Sequence, residues 1–283
     1  MAIHGQYRRL SEGRWELRVL PQAWSGELWQ TILRAVDRQA PNKHPQTVRL
    51  EPAVGNLFLK IFHPPSAIGA VKDFFRASRA LRFLRQGLAL AAAGFLVPTA
   101  IAAGEERRWR CLKRAFVVTL GIPGEPVPLF LRHGCGEAAP ALPLAEKRFG
   151  LKLLGRELRR LHDAGFVLGD AVPSNIMIVR EAGVGIRFYL MDHDRTRRYP
   201  RWLAQSLWKR NLVQLNRLPL PGITLQDRMR FFRAYSGRRQ GSARERRLLD
   251  WLERKTRQRR KECDGIGPGG SFRKLMSWKR ETA

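Results

Sequence analysis

Short apolar runs with β-type alternation dominate the first part of the chain. Residues 47–62, TVRLEPAVGNLFLKIF, hold two such runs on either side of a turn, which predicts a β-hairpin. Alternation along the second run places Lys60 between two Phe on one face, a position that is typical of an edge-strand lysine when taken alone. Residues 66–93 have a basic helical pattern, and a strand pair is expected near RAFVVTLGIPGEPVPLFLR at 114–132.

The second half of the chain has mainly helical periodicity. Leucines recur at spacings of three and four within residues 145–164, and Gly165 follows, which predicts an amphipathic helix with a glycine at its C-terminal end. Two apolar runs at 175–179 and 186–192 are joined by REAGVG, which predicts a second hairpin. Helical patterns return from residue 201 onward.

The order of these elements predicts an α+β protein with two lobes. A small N-terminal lobe that is rich in β-strands is placed at 1–120, and a mainly helical C-terminal lobe at 121–240. A basic helix and tail follow at 241–283. With 283 residues, of which 44% are hydrophobic, the chain can bury a core for this arrangement.

The chain carries a large excess of positive charge. It has 53 Lys and Arg against 24 Asp and Glu, a net charge of +29, which attracts nucleic acid, anionic lipid or a phosphorylated sugar. Residues 201–283 hold 22 basic against 7 acidic residues, which leaves +15 and favours contact with an anionic membrane surface. Nucleic acid is the less favoured partner, because Phe231, Phe232 and Tyr235 fit a buried helix stripe better than a stacking platform.

Cysteine spacing and hydropathy bear on the compartment. The three cysteines are widely spaced and form no CxxC pair, which favours a reducing compartment over a disulfide framework or a zinc site. The N-terminus lacks the apolar core of a signal peptide, and the most apolar stretch, 88–104, is broken by Gly94 and Pro98. Together with the charge, this predicts a cytoplasmic protein that lies peripherally at the inner face of the cytoplasmic membrane.

Four polar side chains lie close together in LHDAGFVLGDAVPSNIMI and FYLMDHDR: Asp170, Asn175, Asp192 and Asp194. Phosphoryl transfer from ATP needs a cation on the phosphates, oxygen ligands for Mg²⁺ and a carboxylate that orients the acceptor hydroxyl. Asp170 and Asn175 have the five-residue spacing of a kinase catalytic loop. The second hairpin is expected to return Asp192 to the same neighbourhood.

These stretches resemble the catalytic and metal-binding loops of the protein-kinase-like fold, in particular those of the bacterial lipopolysaccharide core kinases, which phosphorylate Kdo or heptose. NLFLKIF resembles the lysine strand of that family, and RASRALRFLRQGLALAAAGFLVPTAIA resembles its small-lobe helix with a Gly-x-x-x-Pro turn. KRNLVQLNR and DRMRFFRAY resemble its C-terminal helices. The resemblance covers residues 45–236.

The resemblance implies an ATP- and Mg²⁺-dependent kinase that phosphorylates a sugar hydroxyl of lipopolysaccharide core or a related glycolipid. It implies that Lys60, in the N-terminal lobe, holds the ATP phosphates. In the C-terminal lobe, Asp170 orients the acceptor hydroxyl, and Asn175 and Asp192 bind Mg²⁺. Asp194 is expected to be an auxiliary group, less constrained than Asp192 because Asp192 directly follows a strand.

The sequence also departs from the kinase pattern. The Gly-rich phosphate loop is missing, and Leu168 and Gly169 precede the catalytic Asp170 where protein kinases have a histidine. No acidic residue lies between Asp73 and Glu105, so the helix glutamate that normally pairs with the lysine has no evident counterpart. Two alternatives therefore stay open: a kinase of this fold that acts on protein or a small alcohol, and an inert kinase-like module that binds anionic lipid or nucleic acid.

Two histidines near these motifs are interpreted as structural. His162 stands at the end of the leucine-rich helix and is expected to form a hydrogen bond within the fold. His193 lies between Asp192 and Asp194, but no second His or Cys has ligand spacing to it, so packing is expected.

Overall fold

A computed structural model describes residues 7–42, 44–50, 55–64, 77–109, 111–132, 144–181, 183, 185–217, 222–237 and 242–265. Contacts among the described residues group them into two compact units. The first unit takes its residues from 1–124 and 189–196, and the second from 125–188 and 197–283. None of the described helices has the length and apolarity that a bilayer span requires. The lobe boundaries placed at residues 120 and 240 stay predictions.

The first unit is built on a six-stranded antiparallel sheet. Its strands are β1 (Arg8–Glu12), β2 (Trp15–Val19), β3 (Gln46–Arg49), β4 (Leu57–Phe62), β5 (Ala100–Arg108) and β6 (Cys111–Leu120). They lie in the order β1-β2-β5-β6-β4-β3. Two helices accompany them, α1 (Gly26–Asp37) and α2 (Arg79–Ala92). The hairpin predicted at 47–62 is confirmed as β3 and β4, paired with Thr47 opposite Lys60.

The two helices pack on opposite faces of this sheet. Phe116 and Val118 of β6 join the apolar cluster that includes α1, whereas Val117 joins the cluster that includes α2. Successive strand residues point to opposite faces, which assigns one helix to each side. Each helix begins at a serine whose side chain accepts a backbone N–H, Ser25 for α1 and Ser78 for α2.

The second unit is mainly helical. Its helices are α3 (Val127–Arg132), α4 (Leu144–Asp163), α5 (Arg201–Asn216), α6 (Leu225–Ser236) and α7 (Ala243–Gly265). Its strands are β7 (Glu125–Pro126), β8 (Phe166–Val167), β9 (Ile176–Glu181), β10 (Gly185–Leu190) and β11 (Arg197–Arg198), in sheets ordered β10-β9-β7 and β11-β8. The leucine-rich helix and the second hairpin are thereby confirmed. Gly165 follows α4 with φ +85°, a conformation that favours glycine.

The strand pair expected at 114–132 is wrong in its second half. Residues 111–120 form β6, but β6 pairs with β5 and β4 and not with the segment that follows it. Residues 127–132 form helix α3. Pro128 lacks the N–H group that a strand ladder needs, whereas a proline is tolerated in the first turn of a helix.

Helices α4 and α6 approach each other at a glycine. A Cβ atom added to Gly155 of α4 would lie 2.5 Å from the backbone oxygen of Phe231 in α6. The obstructing atom belongs to the backbone, so it cannot turn away as a flexible side chain would. The close approach buries Leu158 and Tyr235 in the core of the second unit.

We expect Gly155→Ala to lower the free energy of unfolding by about 1–3 kcal/mol, because the added methyl group forces the two helices apart. Gly26→Ala in α1 is the matched control, since a Cβ atom at Gly26 meets nothing within 4 Å. Thermal unfolding of both variants, followed by circular dichroism, checks this expectation. Equal melting temperatures for the two variants would contradict the tight approach.

Candidate active site

In the first unit, Lys60 forms an ion pair with Asp192. Its Nζ lies 2.9 Å from Asp192 Oδ1, and both side chains are partly buried. Strand β4 lies between β3 and β6, so Lys60 is not on an edge strand and the edge-lysine interpretation is wrong. An interior strand fixes the backbone of Lys60 on both sides and directs its ammonium group at the carboxylate.

Asp192 lies two residues beyond β10, which ends at Leu190, so the expectation that Asp192 directly follows the strand is wrong. Burial by itself would raise the pKa of Asp192, but the Lys60 ammonium group, then a hydrogen bond with Asp194 and then Arg79 outweigh burial and lower the pKa below its usual value. Its Oδ1 atom is buried and lies at ion-pair distance from Lys60. The side chain is therefore an anion that already engages a cation.

Asp194 is more firmly held than the sequence suggested. Its side chain is 2% exposed, and Oδ2 accepts a hydrogen bond of 2.6 Å from Arg79 Nε. Arg79 stands in the first turn of α2. The expectation that Asp194 is loosely placed is therefore wrong, because a helix distant in sequence covers the loop.

His193 packs against helix α2, as expected. Its ring lies 3.9 Å from the Phe83 ring, centroid to centroid, and Nδ1 lies 3.2 Å from the Leu190 carbonyl oxygen. Burial lowers the pKa of His193 to about 4, so the ring is neutral at pH 7. Among the described residues no group of three or more His, Cys, Asp or Glu is placed to hold a metal ion.

Asp73 and Glu105 are the acidic residues that flank α2 in the sequence. Asp73 lies outside the described residues. Glu105 stands on β5 and binds the Arg107 side chain and the Ser78 backbone N–H, at the start of α2. Among the described residues, the ionic partner of Lys60 is thus the loop carboxylate of Asp192.

In the second unit, Asp170 and Asn175 form a closed loop. Asn175 Nδ2 donates to the Asp170 carbonyl oxygen at 3.1 Å, and Asn175 N donates to Val172 O at 2.9 Å within a 3₁₀ turn over Pro173–Asn175. The amide nitrogen is thereby engaged on the loop, which leaves the amide oxygen as an available ligand for a cation. The five-residue spacing thus has a direct structural consequence.

Two amide side chains of α5 form hydrogen bonds with the loop that carries Asp170. Asn211 accepts from Leu168 N at 2.9 Å and donates to Leu168 O at 2.8 Å. Gln214 accepts from Ala171 N at 3.3 Å and donates to Asp170 Oδ1 at 3.4 Å. These bonds fix both the backbone before Asp170 and one oxygen of its carboxylate.

His162 completes this network as a structural residue. Its Nδ1 lies 2.9 Å from the Tyr235 hydroxyl, and its Nε2 lies 3.1 Å from Asn211 Oδ1. Burial lowers the pKa of His162 to about 4, against a smaller opposing effect of the Asn211 hydrogen bond. The neutral ring therefore supports Asn211, and the structural interpretation of His162 is confirmed.

Sequence reasoning missed Arg79, Asn211 and Gln214. Asn211 and Gln214 interrupt the apolar residues of α5 at a spacing of three, which places both amides on one helix face and is a usable signal. Arg79 gave no such signal, because it is one of 53 basic residues.

An apolar cavity of about 550 Å³ lies in the second unit apart from these residues. Its lining includes Leu151 of α4, Leu212 of α5, Phe232 of α6 and Leu252 of α7. Arg228, Arg257 and Arg260 also line it, and none of the predicted site residues contributes to it.

A sheet that carries an ion-paired lysine and a helical unit that carries an Asp–Asn loop are the parts of a protein-kinase-like phosphotransferase. The model of the lipopolysaccharide kinase (Kdo/WaaP) family matches residues 73–235, more than half of the chain. The chain belongs to this family. It is therefore a kinase that acts on lipopolysaccharide core, a phosphotransferase with a sugar hydroxyl as acceptor.

Solved structures agree on the fold. A structure of WaaP in complex with acyl carrier protein is 24% identical, covers 80% of this chain and 91% of its own, and has a TM-score of 0.57. The Rio2 kinase of Chaetomium thermophilum is 15% identical, with coverages of 91% and 83% and a TM-score of 0.46. The likeness to WaaP confirms the two-lobed kinase-like fold, and the weaker match adds no argument. None of the curated proteins matches the chain.

The lowered pKa of His162 predicts a loss of stability in acid. The folded protein keeps His162 neutral down to about pH 4, whereas the unfolded chain protonates it below about 6.5. The unfolded state thus binds more protons as the pH falls from 6.5 to 4, and the stability that depends on a neutral His162 is lost across that interval. At pH 5 the loss amounts to roughly 2 kcal/mol relative to pH 7.5.

His162→Gln isolates this effect, because all other titrating groups remain in both proteins. The variant should be less stable than the parent at pH 7.5, and the difference should shrink by roughly 2 kcal/mol at pH 5. Urea unfolding at the two pH values measures it. A stability difference that is the same at both would show that His162 is not buried as described.

Proposed function

We propose that this kinase transfers the γ-phosphate of ATP, as its Mg²⁺ complex, to a sugar hydroxyl of lipopolysaccharide core or a related glycolipid. The observation that carries the proposal is the ion pair between Lys60 and Asp192 in the first unit. It holds a cation suited to phosphates and an anion suited to a metal ion side by side, both charged and both reachable by solvent.

The chemistry of the donor set fits Mg²⁺. This ion prefers hard oxygen ligands and keeps several waters, so a carboxylate and an amide oxygen suffice beside the phosphates. Asp192 offers an ionised carboxylate with a lowered pKa. Asn175 offers its amide oxygen, since its amide nitrogen is engaged by Asp170 O. When bound, the Mg²⁺–ATP complex supplies the phosphoryl group and neutralises part of its charge.

Each site residue then has a defined task. The Lys60 ammonium group would hold the phosphate oxygens, and the carboxylate of Asp192 would serve as a metal ligand. Asp170 orients the acceptor hydroxyl and accepts its proton. Gln214 and Asn211 hold the Asp170 loop in place during the transfer. Asp194 takes no direct part, because Arg79 already engages its carboxylate.

The alternatives make different demands on this site. An inert module would need neither a charged Lys60–Asp192 pair nor amide bonds to the Asp170 loop, so both observations favour activity. A kinase that acts on protein or a small alcohol would use the same groups. ATP turnover with core glycolipid, with a model protein substrate and without an acceptor separates these three possibilities.

We expect Lys60→Ala to lower ATP turnover with core glycolipid by about a hundredfold or more, because one preorganised cation on the phosphates is lost. Its melting temperature should change little, since a partly exposed ion pair contributes about 0–1 kcal/mol. Lys113→Ala, an exposed lysine on β6 of the same sheet, is the control and should keep full turnover. Retained turnover in Lys60→Ala, with the fold intact, would eliminate the phosphate role.

The proposal also places the protein in the cytoplasm, on the inner face of the cytoplasmic membrane. Helix α7 supports this placement, because its inner side is buried at Leu252 and Thr256 while much of its remaining surface is basic and exposed. Arg260 is one exception, since it donates to the carbonyl oxygens of Asn216 and Arg217 at the end of α5. Nucleic acid stays the less favoured partner, because Phe232 and Tyr235 are buried and unavailable for stacking.

Replacing four exposed bases of α7 by glutamine should weaken binding to anionic vesicles by at least tenfold, since each base near the surface contributes about 1 kcal/mol. These bases are Arg247, Arg254, Lys255 and Lys261. They avoid Arg260, so the fold is preserved. Sedimentation with vesicles that contain phosphatidylserine measures the binding.

The control replaces four exposed bases of the first unit, namely Arg8, Arg9, Arg14 and Lys113. It removes the same net charge and should weaken binding less. Binding of the parent should fall steeply as salt rises, because the attraction is screened. An equal loss in the two variants would assign the effect to net charge and reject α7 as the contact surface.

A further inference from the structure

Helix α2 contributes no carboxylate to the site, yet it contacts the loop that carries Asp192. No acidic residue occurs in Arg79–Ala92. Instead, the helix offers a cation, and Arg79 Nε lies 2.6 Å from Asp194 Oδ2. The usual order of charges is thus reversed: the helix supplies the positive group and the loop supplies the negative one.

In the Arg79–Asp194 ion pair, the carboxylate of Asp194 is buried. The Asp194 side chain is 2% exposed, and the Arg79 side chain is 25% exposed. The Arg79 guanidinium also stacks over the Phe62 ring at 5.0 Å, next to Lys60 on β4. Removing the arginine would leave a buried carboxylate without its cation, which is far more costly than losing a surface pair.

A second contact between α2 and the loop after β10 is steric. Gly87 lies two turns after Arg79 in α2, and a Cβ atom there would lie 2.8 Å from His193 Nε2. The His193 ring also packs on Phe83, one turn before Gly87. Glycine in a helix interior costs stability, so its presence here reflects the space that the loop histidine occupies.

We propose that α2 positions the metal-binding loop through Arg79 and Gly87, and that this coupling replaces the carboxylate that α2 lacks. Arg79 holds Asp194 as a fixed anchor, and Gly87 admits His193. Asp192 directly precedes these two anchored residues and would be free to exchange Lys60 for a metal ion. Arg79 is a positioning residue that acts through Asp194. The inference rests on the proposed function for its metal step, but the coupling itself concerns the protein without ligand.

A double-mutant cycle tests the coupling without nucleotide. Arg79→Gln and Asp194→Asn should each lower the melting temperature, and the double variant should be no less stable than the worse single variant, because both remove one interaction. Arg85→Gln is the control, an exposed arginine on the same helix, and should leave the melting temperature unchanged. Additive effects of the two substitutions would overturn the inference.

A Mg²⁺ titration tests the positioning role. Arg79→Gln and Gly87→Ala should raise the Mg²⁺ concentration for half-maximal turnover by about tenfold or more, as expected when the support of a metal ligand is lost. The KM for ATP at saturating Mg²⁺ should change little, and Arg79→Lys should restore part of the loss. An unchanged Mg²⁺ requirement in Arg79→Gln would overturn the role.

The two measurements separate this inference from the proposed function. If the parent protein shows no Mg²⁺-dependent turnover, the proposed function fails, while the melting-temperature cycle still decides whether α2 holds the loop. If the parent is active and the cycle is additive, the proposed function stands and the inference fails.

Discussion

The ion pair between Lys60 and Asp192 is the interaction on which the first unit is organised as a site. It requires β4 to be an interior strand, because only pairing on both sides fixes the direction of the lysine. It also requires the segment after β10 to return to the sheet of the first unit, and residues 189–196 do group with that unit. An ammonium and a carboxylate held together in this way stay charged, and each is ready for a partner of opposite sign.

The net charge of +29 makes the specific pairing of acids important. In such a chain a carboxylate pairs with the nearest basic side chain, so a carboxylate that would bind a metal ion needs an arrangement that limits this competition. The loop carries two acidic residues that differ in solvent exposure. Asp194 is buried and engages Arg79, whereas Asp192 is partly exposed and engages Lys60, a cation that also suits phosphates. The excess charge elsewhere can then attract an anionic lipid substrate without occupying the site.

Local patterns predicted what local forces decide. Periodicity predicted the helix over Leu144–Asp163, both hairpins and the face of Lys60. Burial of one face of a helix or strand produces a regular pattern of apolar residues within one continuous segment. The strands β1 and β2 and helix α1 received no prediction. The burial of Asp194 could not be predicted from the sequence either. Arg79, which covers Asp194, is distant in sequence and has the same local pattern as the other arginines of this basic chain. Gln214 differs from Arg79, because its spacing of three from Asn211 is a signal in the sequence; only its contact with Asp170 depends on how α5 packs against the loop.

The lack of a carboxylate on α2 has a physical consequence for the proposed reaction. A lysine held by a helix acid can bind phosphates and keep its partner, but Lys60 and a metal ion would compete for the same carboxylate of Asp192. In the proposed reaction Lys60 would hold the phosphates and Asp192 the metal ion, so each residue would gain a partner of opposite charge as it leaves the other. Neither ion is left unpaired in a partly buried place, which keeps the cost of the exchange low. Such an exchange needs a loop that stays in position while Asp192 changes partner, and the enclosed Asp194 provides that fixed point.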